Sequence, residues 1–194
     1  MRSWRTLEAT LALVALSSQS AFAATIDGAA VPSAVVWLSP VAAHVPAAPS
    51  TPQLTEIRNI DRSFDPALLI LPVGSSVRFS NEDPFFHSIF SSSEPDAFDI
   101  GFYSIGPGKT VSFPRAGIIT VRCHIHRAMR AVIIVVDGPA ARADARSGAF
   151  RLTGVASGSY VIHAWDPGDA TERRAPLVVA HDADNVTLTQ ALRP

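Results

Sequence analysis

Residues 119–129 read ITVRCHIHRAM, and this stretch decides the fold of the chain. Ile119, Val121 and Cys123 occur at every second position, which is the side-chain period of a β-strand. The phase that buries Ile119 and Val121 therefore also points Cys123 into the interior. His124 follows on the opposite phase, so we expect it to be a surface neighbour of the loop that comes next. The pattern predicts a strand with one buried face that brings Cys123 to the end of a core.

The loop after this strand concentrates side chains that bind soft metals. Cys123 is the only cysteine of the chain, and Met129 is the only methionine apart from Met1. A thiolate, an imidazole and a thioether in so short a stretch make up most of a blue-copper ligand set. In such a site two histidines and one cysteine surround the metal, and a methionine lies at a longer axial distance. A second histidine must come from elsewhere in the chain, and His87 is the candidate.

Each of these residues taken alone is more typical of a structural role. A free cysteine usually behaves as a small buried hydrophobe, and a methionine fills gaps in a core. A zinc site would more usually have a further cysteine or a carboxylate in place of the methionine. A binuclear copper centre bridged by two thiolates is excluded because the chain has one cysteine. The coincidence of these donors in one loop favours a mononuclear copper site.

Elsewhere the chain shows short apolar runs between turn sequences. Val77 and Phe79 alternate with polar residues before the turn sequence NEDP at 81–84, and residues 131–136 form a nearly continuous apolar run. No 3.6-residue periodicity is evident after residue 23. Short strands joined by such turns predict an all-β chain built from β-sandwiches.

Residues 64–136 carry motifs that resemble those of the cupredoxins. The spacing of Cys123, His126 and Met129 is similar to the short ligand loop of amicyanin. The sequences FSNEDPFFH at 79–87 and FDIGFY at 98–103 resemble the bacterial plastocyanin-like proteins often labelled as methylamine utilization proteins. The resemblance implies a Greek-key cupredoxin β-sandwich that holds one copper ion, which cycles between Cu(I) and Cu(II). The ligands that it implies are His87, Cys123, His126 and Met129.

One position departs from the family pattern. Plastocyanin-like proteins commonly have asparagine after the first ligand histidine, where this chain has Ser88. The hydrogen bond that joins the two ligand loops is therefore expected either to come from Ser88 or to be missing. This departure bears on the redox potential more than on copper binding.

The ligand set and the resemblance predict a one-electron carrier rather than an enzyme, with a protein redox donor and a protein acceptor as partners. A rigid site of this kind accommodates both oxidation states of copper. The alternative is a non-redox protein in which copper is structural, stored or sensed and a second sandwich binds a partner or a glycan. We expect Phe85, Phe86 and Ala128 to form an apolar docking rim beside Arg127 and Arg130. Solvated arginines and core phenylalanines are the alternative for these residues.

Residues 1–23 have the pattern of a secretory signal. Arg2 and Arg5 precede an apolar run at 9–16, and small residues lead to Ala23. The run is too short to span a bilayer and no later stretch is long enough, so we expect a periplasmic or secreted protein that is not inserted in a membrane. The formal net charge of −1 argues against nucleic acid as a partner. A lone cysteine in an oxidising compartment must be buried or ligated, which favours a metal ligand at Cys123.

The composition changes after residue 137, which indicates a second unit. Residues 148–160, GAFRLTGVASGSY, resemble the carboxypeptidase regulatory-like, transthyretin-type sandwich. We expect a signal peptide at 1–23, an N-terminal strand with a Pro/Ala-rich connection at 24–53, a copper domain at 54–137, a linker at 138–148 and a smaller β-sandwich at 149–194. Roughly 55 residues are few for an independent core. We therefore hypothesise that residues 25–38 supply its first strands and that the copper domain is an insertion.

Three histidines lie outside these motifs. We expect His44, His163 and His181 to be structural or on the surface. Residues 185–187 read NVT, which fits a glycosylation sequon, although so short a motif has a high false-positive rate.

Overall fold

The computed structural model describes residues 23–41, 51–180 and 185–188, and within these ranges it contains strands and no helix. The prediction of an all-β chain is confirmed. In the described part of the chain there is accordingly no helix that is long and apolar enough to cross a membrane. The strands are Ala24–Ala29 (β1), Val35–Pro40 (β2), Leu54–Ile60 (β3), Ser63–Asp65 (β4), Leu68–Pro72 (β5), Ser75–Asn81 (β6), His87–Ser91 (β7), Phe98–Tyr103 (β8), Gly106–Phe113 (β9), Gly117–Cys123 (β10), Arg130–Val136 (β11), Ala140–Arg142 (β12), Ala149–Val155 (β13), Gly158–Trp165 (β14), Glu172–Val179 (β15) and Asn185–Thr187 (β16).

These strands form four sheets. One has the order β4-β3-β6-β9, and it packs against a five-stranded sheet with the order β5-β11-β10-β7-β8. The other two have the orders β12-β2-β14-β15 and β13-β1-β16, and they also pack against each other. Three pairs, β3 with β6, β5 with β11 and β1 with β16, are parallel. The chain is therefore arranged as two β-sandwiches.

The first sandwich encloses an apolar core to which both of its sheets contribute. Ile119, Val121 and Cys123 share the inward face of β10, as their alternation predicts. β4 and β5 follow each other closely in the chain but belong to different sheets. Pro66 separates them, and proline cannot donate the hydrogen bond that would continue a ladder.

The second sandwich includes the N-terminal strands of the chain. β1 pairs with β13 and β16, and β2 pairs with β12 and β14. Gly148, the residue before β13, has a φ of 73°. A Cβ at this position would lie 2.1 Å from the carbonyl oxygen of Ala30. Only glycine permits this close approach. The segment 138–148, which the sequence predicts to be a linker, contributes β12 to this sandwich.

A third apolar cluster joins the two sandwiches. Val132, Ile134 and Val136 on the outer face of β11 pack in the same cluster as Trp37 and Trp165 of the second sandwich. Alternate residues of β11 belong to the core of the first sandwich. A strand that is buried on both faces has no polar face, which accounts for its continuous apolar sequence.

Candidate metal centre

Two neighbouring strands and one loop bring the predicted ligands to the same end of the first sandwich. His87 is the first residue of β7, and Cys123 is the last residue of β10. The two strands pair with Cys123 opposite Ile89. His126 and Met129 lie in the connection between β10 and β11, which a hydrogen bond of 2.9 Å from Met129 N–H to the His126 carbonyl closes into a turn.

Three donor atoms converge at this point. Cys123 Sγ lies 3.7 Å from His87 Nδ1 and 3.9 Å from His126 Nδ1, and the two nitrogens are 3.2 Å apart. His87 and Cys123 are buried, and His126 is partly exposed. In the part of the chain that the structure describes, this is the only such group of histidine, cysteine and carboxylate side chains.

The dimensions of this triangle match a transition-metal site. A point in its plane lies about 2.1 Å from all three atoms, and a divalent metal such as zinc lies roughly 2.0–2.3 Å from histidine nitrogen and cysteine sulfur. The cysteine is free and buried, so its sulfur is not engaged in a disulfide. Two imidazoles and one thiol in this geometry could hold a metal without rearrangement of the backbone.

Met129 is the fourth residue of the predicted donor set. Its side chain is buried and packs in the same apolar cluster as Cys123 and Tyr103. Burial raises the pKa of Tyr103 to about 12, so this phenol stays neutral beneath the cluster. The thioether and the thiol are therefore both shielded from water.

The carboxylate of Asp83 contacts the ring nitrogen of His87 that is not part of the triangle. The sequence did not predict this contact. The Oδ2 atom of Asp83 lies 2.9 Å from Nε2 of His87, and the carboxylate also accepts the backbone N–H groups of Asp61 and Arg62 at 2.8 and 3.1 Å. Burial is the largest single influence on Asp83 and opposes ionisation. The hydrogen bonds from Arg62, His87 and Asp61 outweigh it and hold the pKa of Asp83 below its ordinary value. In the sequence, the only sign of this contact is the spacing Asp83-x-x-x-His87. The turn composition of 81–84 accounts equally well for an aspartate at position 83.

His126 is the ligand candidate nearest the surface. Burial and the neighbouring His87 and Arg62 lower the pKa of His126 from its ordinary value, so the ring is neutral at pH 7. A neutral imidazole offers one nitrogen lone pair to a metal. The ring of Phe85 packs edge-on against His126 at 5.4 Å between centroids, and the guanidinium of Arg62 lies 4.7 Å from the Phe85 centroid.

The other histidines of the described chain lie outside the triangle. His124 is on the outer face, as its phase predicts, where it stacks on Phe90 at 3.9 Å and lies 3.2 Å from Asp99. His163 belongs to the second sandwich, where it stacks on Trp37 and its Nδ1 lies 2.7 Å from Glu172. His44 and His181 lie outside the described residues.

Ser88 does join the two ligand segments, but through its backbone. Its carbonyl accepts the N–H of His124 at 2.9 Å. This backbone bond continues the pairing of β7 with β10, and a bond between the loops from the Ser88 side chain stays a prediction. Since a carbonyl serves as the acceptor, the bond does not depend on the identity of the side chain.

The surface around His126 is partly apolar. Phe86 is 58% exposed and Ile125 is 44% exposed, and Ala128 is also exposed. Phe85 is half-buried against the two histidines, so it is neither a core residue nor fully on the surface. Ile125 was not among the residues predicted for this rim, because the sequence gives no phase for a loop residue.

Comparison with known proteins gives limited similarity. No protein-family model matches the chain, and no curated protein matches it. A copper-containing nitrite reductase from Thermus scotoductus is 28% identical over 50% of this chain and 25% of its own, with a TM-score of 0.41. A pseudoazurin from Sinorhizobium meliloti is 17% identical over 44% of this chain and 76% of its own, with a TM-score of 0.39. An amicyanin in a reduced Cu(I) form is 16% identical over 51% of this chain and 98% of its own, with a TM-score of 0.40. The chain thus spans a quarter of the reductase, and similarity at this level does not establish a family.

Proposed function

We propose that this chain binds one copper ion and acts as a one-electron carrier. His87, Cys123, His126 and Met129 would hold the metal. The convergence of Cys123 Sγ with two imidazole Nδ1 atoms at 3.2–3.9 Å supports this assignment. Thiolate and thioether donors favour Cu(I) and imidazole accommodates Cu(II). When bound, copper supplies a reversible one-electron change.

The residues of the chain keep this site rigid. Asp83 accepts the Nε2 proton of His87, which leaves the lone pair of Nδ1 directed at the triangle. Cys123 is fixed at the end of a paired strand, and Met129 is fixed by burial in the core. A ligand set that does not move between oxidation states costs little reorganisation on electron transfer.

A protein partner would dock over His126. The exposed apolar side chains Phe86, Ile125 and Ala128 would form the contact rim, with Arg127 at its edge. An apolar rim around a partly exposed ligand lets the donor or the acceptor approach the metal closely while water is excluded.

The remaining parts of the proposal concern export and organisation. We infer that residues 1–23 direct the chain to the periplasm or outside the cell, where a buried, ligated Cys123 is protected from oxidation.

We also infer that the copper domain at 54–137 is inserted in a discontinuous second sandwich. The pairing of β2 with β12 and β14 supports this division. No catalytic role is assigned to the chain.

The optical spectrum of the copper-loaded, oxidised protein tests the proposal. We expect a strong visible thiolate-to-copper band that is lost in Cys123→Ser and retained in the matched control His124→Gln, because His124 lies outside the triangle. Potentiometry then distinguishes a carrier from a structural or storage site, since a carrier gives a reversible one-electron couple. A colourless copper-loaded protein, or a metal locked in one oxidation state, would overturn the proposed function.

A further inference from the structure

A cleft of about 390 Å³ opens between the two sandwiches where β11 begins. Its floor is apolar and includes Leu68, Val132 and Trp165. The loop 167–170 between β14 and β15 forms one wall. This volume lies within the range of roughly 300–1,000 Å³ that is typical of small-molecule sites.

Two arginines reach the cleft from opposite sandwiches. Arg130 continues the interface-facing phase of Val132 on β11, and Arg142 of β12 is in register with Val35, the neighbour of Trp165. Neither arginine has a carboxylate partner within residues 23–41, 51–180 and 185–188. By contrast, acids pair there with Arg58, Arg78, Arg115, Arg151 and Arg174.

The pairing of β10 with β11 places a further positive charge beside Arg130. Arg122 lies directly opposite Arg130 in this ladder, and it also has no carboxylate partner in the described part of the chain. Like charges that face each other across an antiparallel pair are destabilising. Local conflicts of this kind are characteristic of functional sites, and a bound anion would relieve this one.

One acidic residue, Asp169, lines the cleft, but its charge is engaged within its own loop. Its Oδ1 accepts the hydroxyl of Thr171 at 2.6 Å and the backbone N–H of Thr171 at 2.9 Å. These two hydrogen bonds hold the pKa of Asp169 below its ordinary value. The Asp166 N–H donates to the Thr171 carbonyl at 2.8 Å and closes the loop into a fixed wall.

We propose that this cleft binds a small organic anion. Its carboxylate or phosphate would lie between the guanidinium groups of Arg130 and Arg142, and its apolar body would pack against Trp165. The planar guanidinium group forms paired hydrogen bonds with such oxyanions. The indole N–H of Trp165 has no acceptor among the described residues and is a further donor that the ligand can use. None of these side chains belongs to the metal triangle.

The test follows the indole N–H resonances of the full chain by NMR during titration with phenyl phosphate, benzoate and inorganic phosphate. Trp37 lines a different cleft of the interface and serves as an internal reference. We expect at least one of the two aromatic anions to shift the Trp165 resonance saturably, with a Kd below about 1 mM for a ligand of this size. Inorganic phosphate should bind at least about tenfold more weakly because it buries no apolar surface.

Substitutions then assign the contact. Arg130→Gln and Arg142→Gln should each weaken binding by about tenfold or more, which is the usual loss for a charge-assisted hydrogen bond. Arg78→Gln is the matched control, since Arg78 is exposed and paired with Glu56 on the outermost sheet of the first sandwich. The proposal is overturned by an absence of saturable shifts, by an equal response of Trp37, by equally tight inorganic phosphate, or by the same loss in Arg78→Gln.

Discussion

Asp83 Oδ2 lies 2.9 Å from Nε2 of His87, and both side chains are buried. This contact sets the tautomer of the imidazole, because Nε2–H donates to the carboxylate and Nδ1 keeps its lone pair for the triangle. Asp83 is itself held by the N–H groups of Asp61 and Arg62, which have positive φ values of 51° and 56° in the turn between β3 and β4. A hairpin turn thus orients a ligand candidate through one carboxylate.

Replacement of this carboxylate tests its role. We expect Asp83→Asn to lower copper affinity by about 10- to 100-fold, the usual effect of removing the hydrogen-bond partner of a metal-bound histidine. Competition titration with a copper chelator measures this change. Asp99→Asn is the control, since Asp99 contacts His124 outside the triangle and should leave affinity unchanged. Equal affinities for the two variants would contradict the assignment.

The sequence predicts the candidate metal ligands better than it predicts the hydrogen bonds that hold them in position. The alternation of Ile119, Val121 and Cys123 is enough to place the thiol inside, because strand phase is a local property. The role of Asp83 depends on a turn that lies more than twenty residues earlier in the chain, and a turn composition already accounts for an aspartate there. No local pattern records such a contact between distant segments.

The packing of the two sandwiches was likewise not predictable from local pattern. The apolar run at 131–136 predicts a buried strand, and the structure confirms one, but the run does not say what covers its second face. That face is covered by Trp37 and Trp165, which come from opposite ends of the chain. Only the tertiary arrangement brings them to the same layer.

The apolar rim predicts a specific effect on electron transfer. Phe86→Ala removes an exposed aromatic ring next to His87, so we expect slower reduction by a physiological protein donor with an unchanged optical spectrum. Stopped-flow kinetics measure the rate. Leu54→Ala is the control. Leu54 is 67% exposed at the start of β3, and the site lies toward the other end of that strand, where Asn59 contacts Tyr103. Equal rates for Phe86→Ala and the parent chain would show that the partner docks elsewhere.

The interface between the sandwiches should contribute to stability as a core does. Ile134 is fully buried on the face of β11 that meets the second sandwich, and Ile133 is fully buried on the other face. We expect Ile134→Ala and Ile133→Ala each to lower the free energy of unfolding by about 2–5 kcal/mol. Urea denaturation of the copper-free protein measures both. Exposed Ile105→Ala should change it by less than about 0.5 kcal/mol. A cost for Ile134→Ala as small as that of Ile105→Ala would contradict a packed interface.

Glu172 makes the free energy of unfolding depend on pH. Burial, the largest influence, opposes its ionisation, but hydrogen bonds from Arg174 and His163 at 2.5 and 2.7 Å outweigh burial and hold the pKa of Glu172 below its ordinary 4.5. A carboxyl with a lowered pKa in the folded state stabilises the fold above its unfolded pKa, and this contribution is lost as the pH falls through the folded pKa. We therefore expect Glu172→Gln to lower the free energy of unfolding by about 1–2 kcal/mol at neutral pH. Urea denaturation of the copper-free protein at a series of pH values should show this difference shrinking toward zero as the pH falls below 4.5. A difference that stays constant across the acidic range would mean that the ionised carboxylate is not what stabilises this contact.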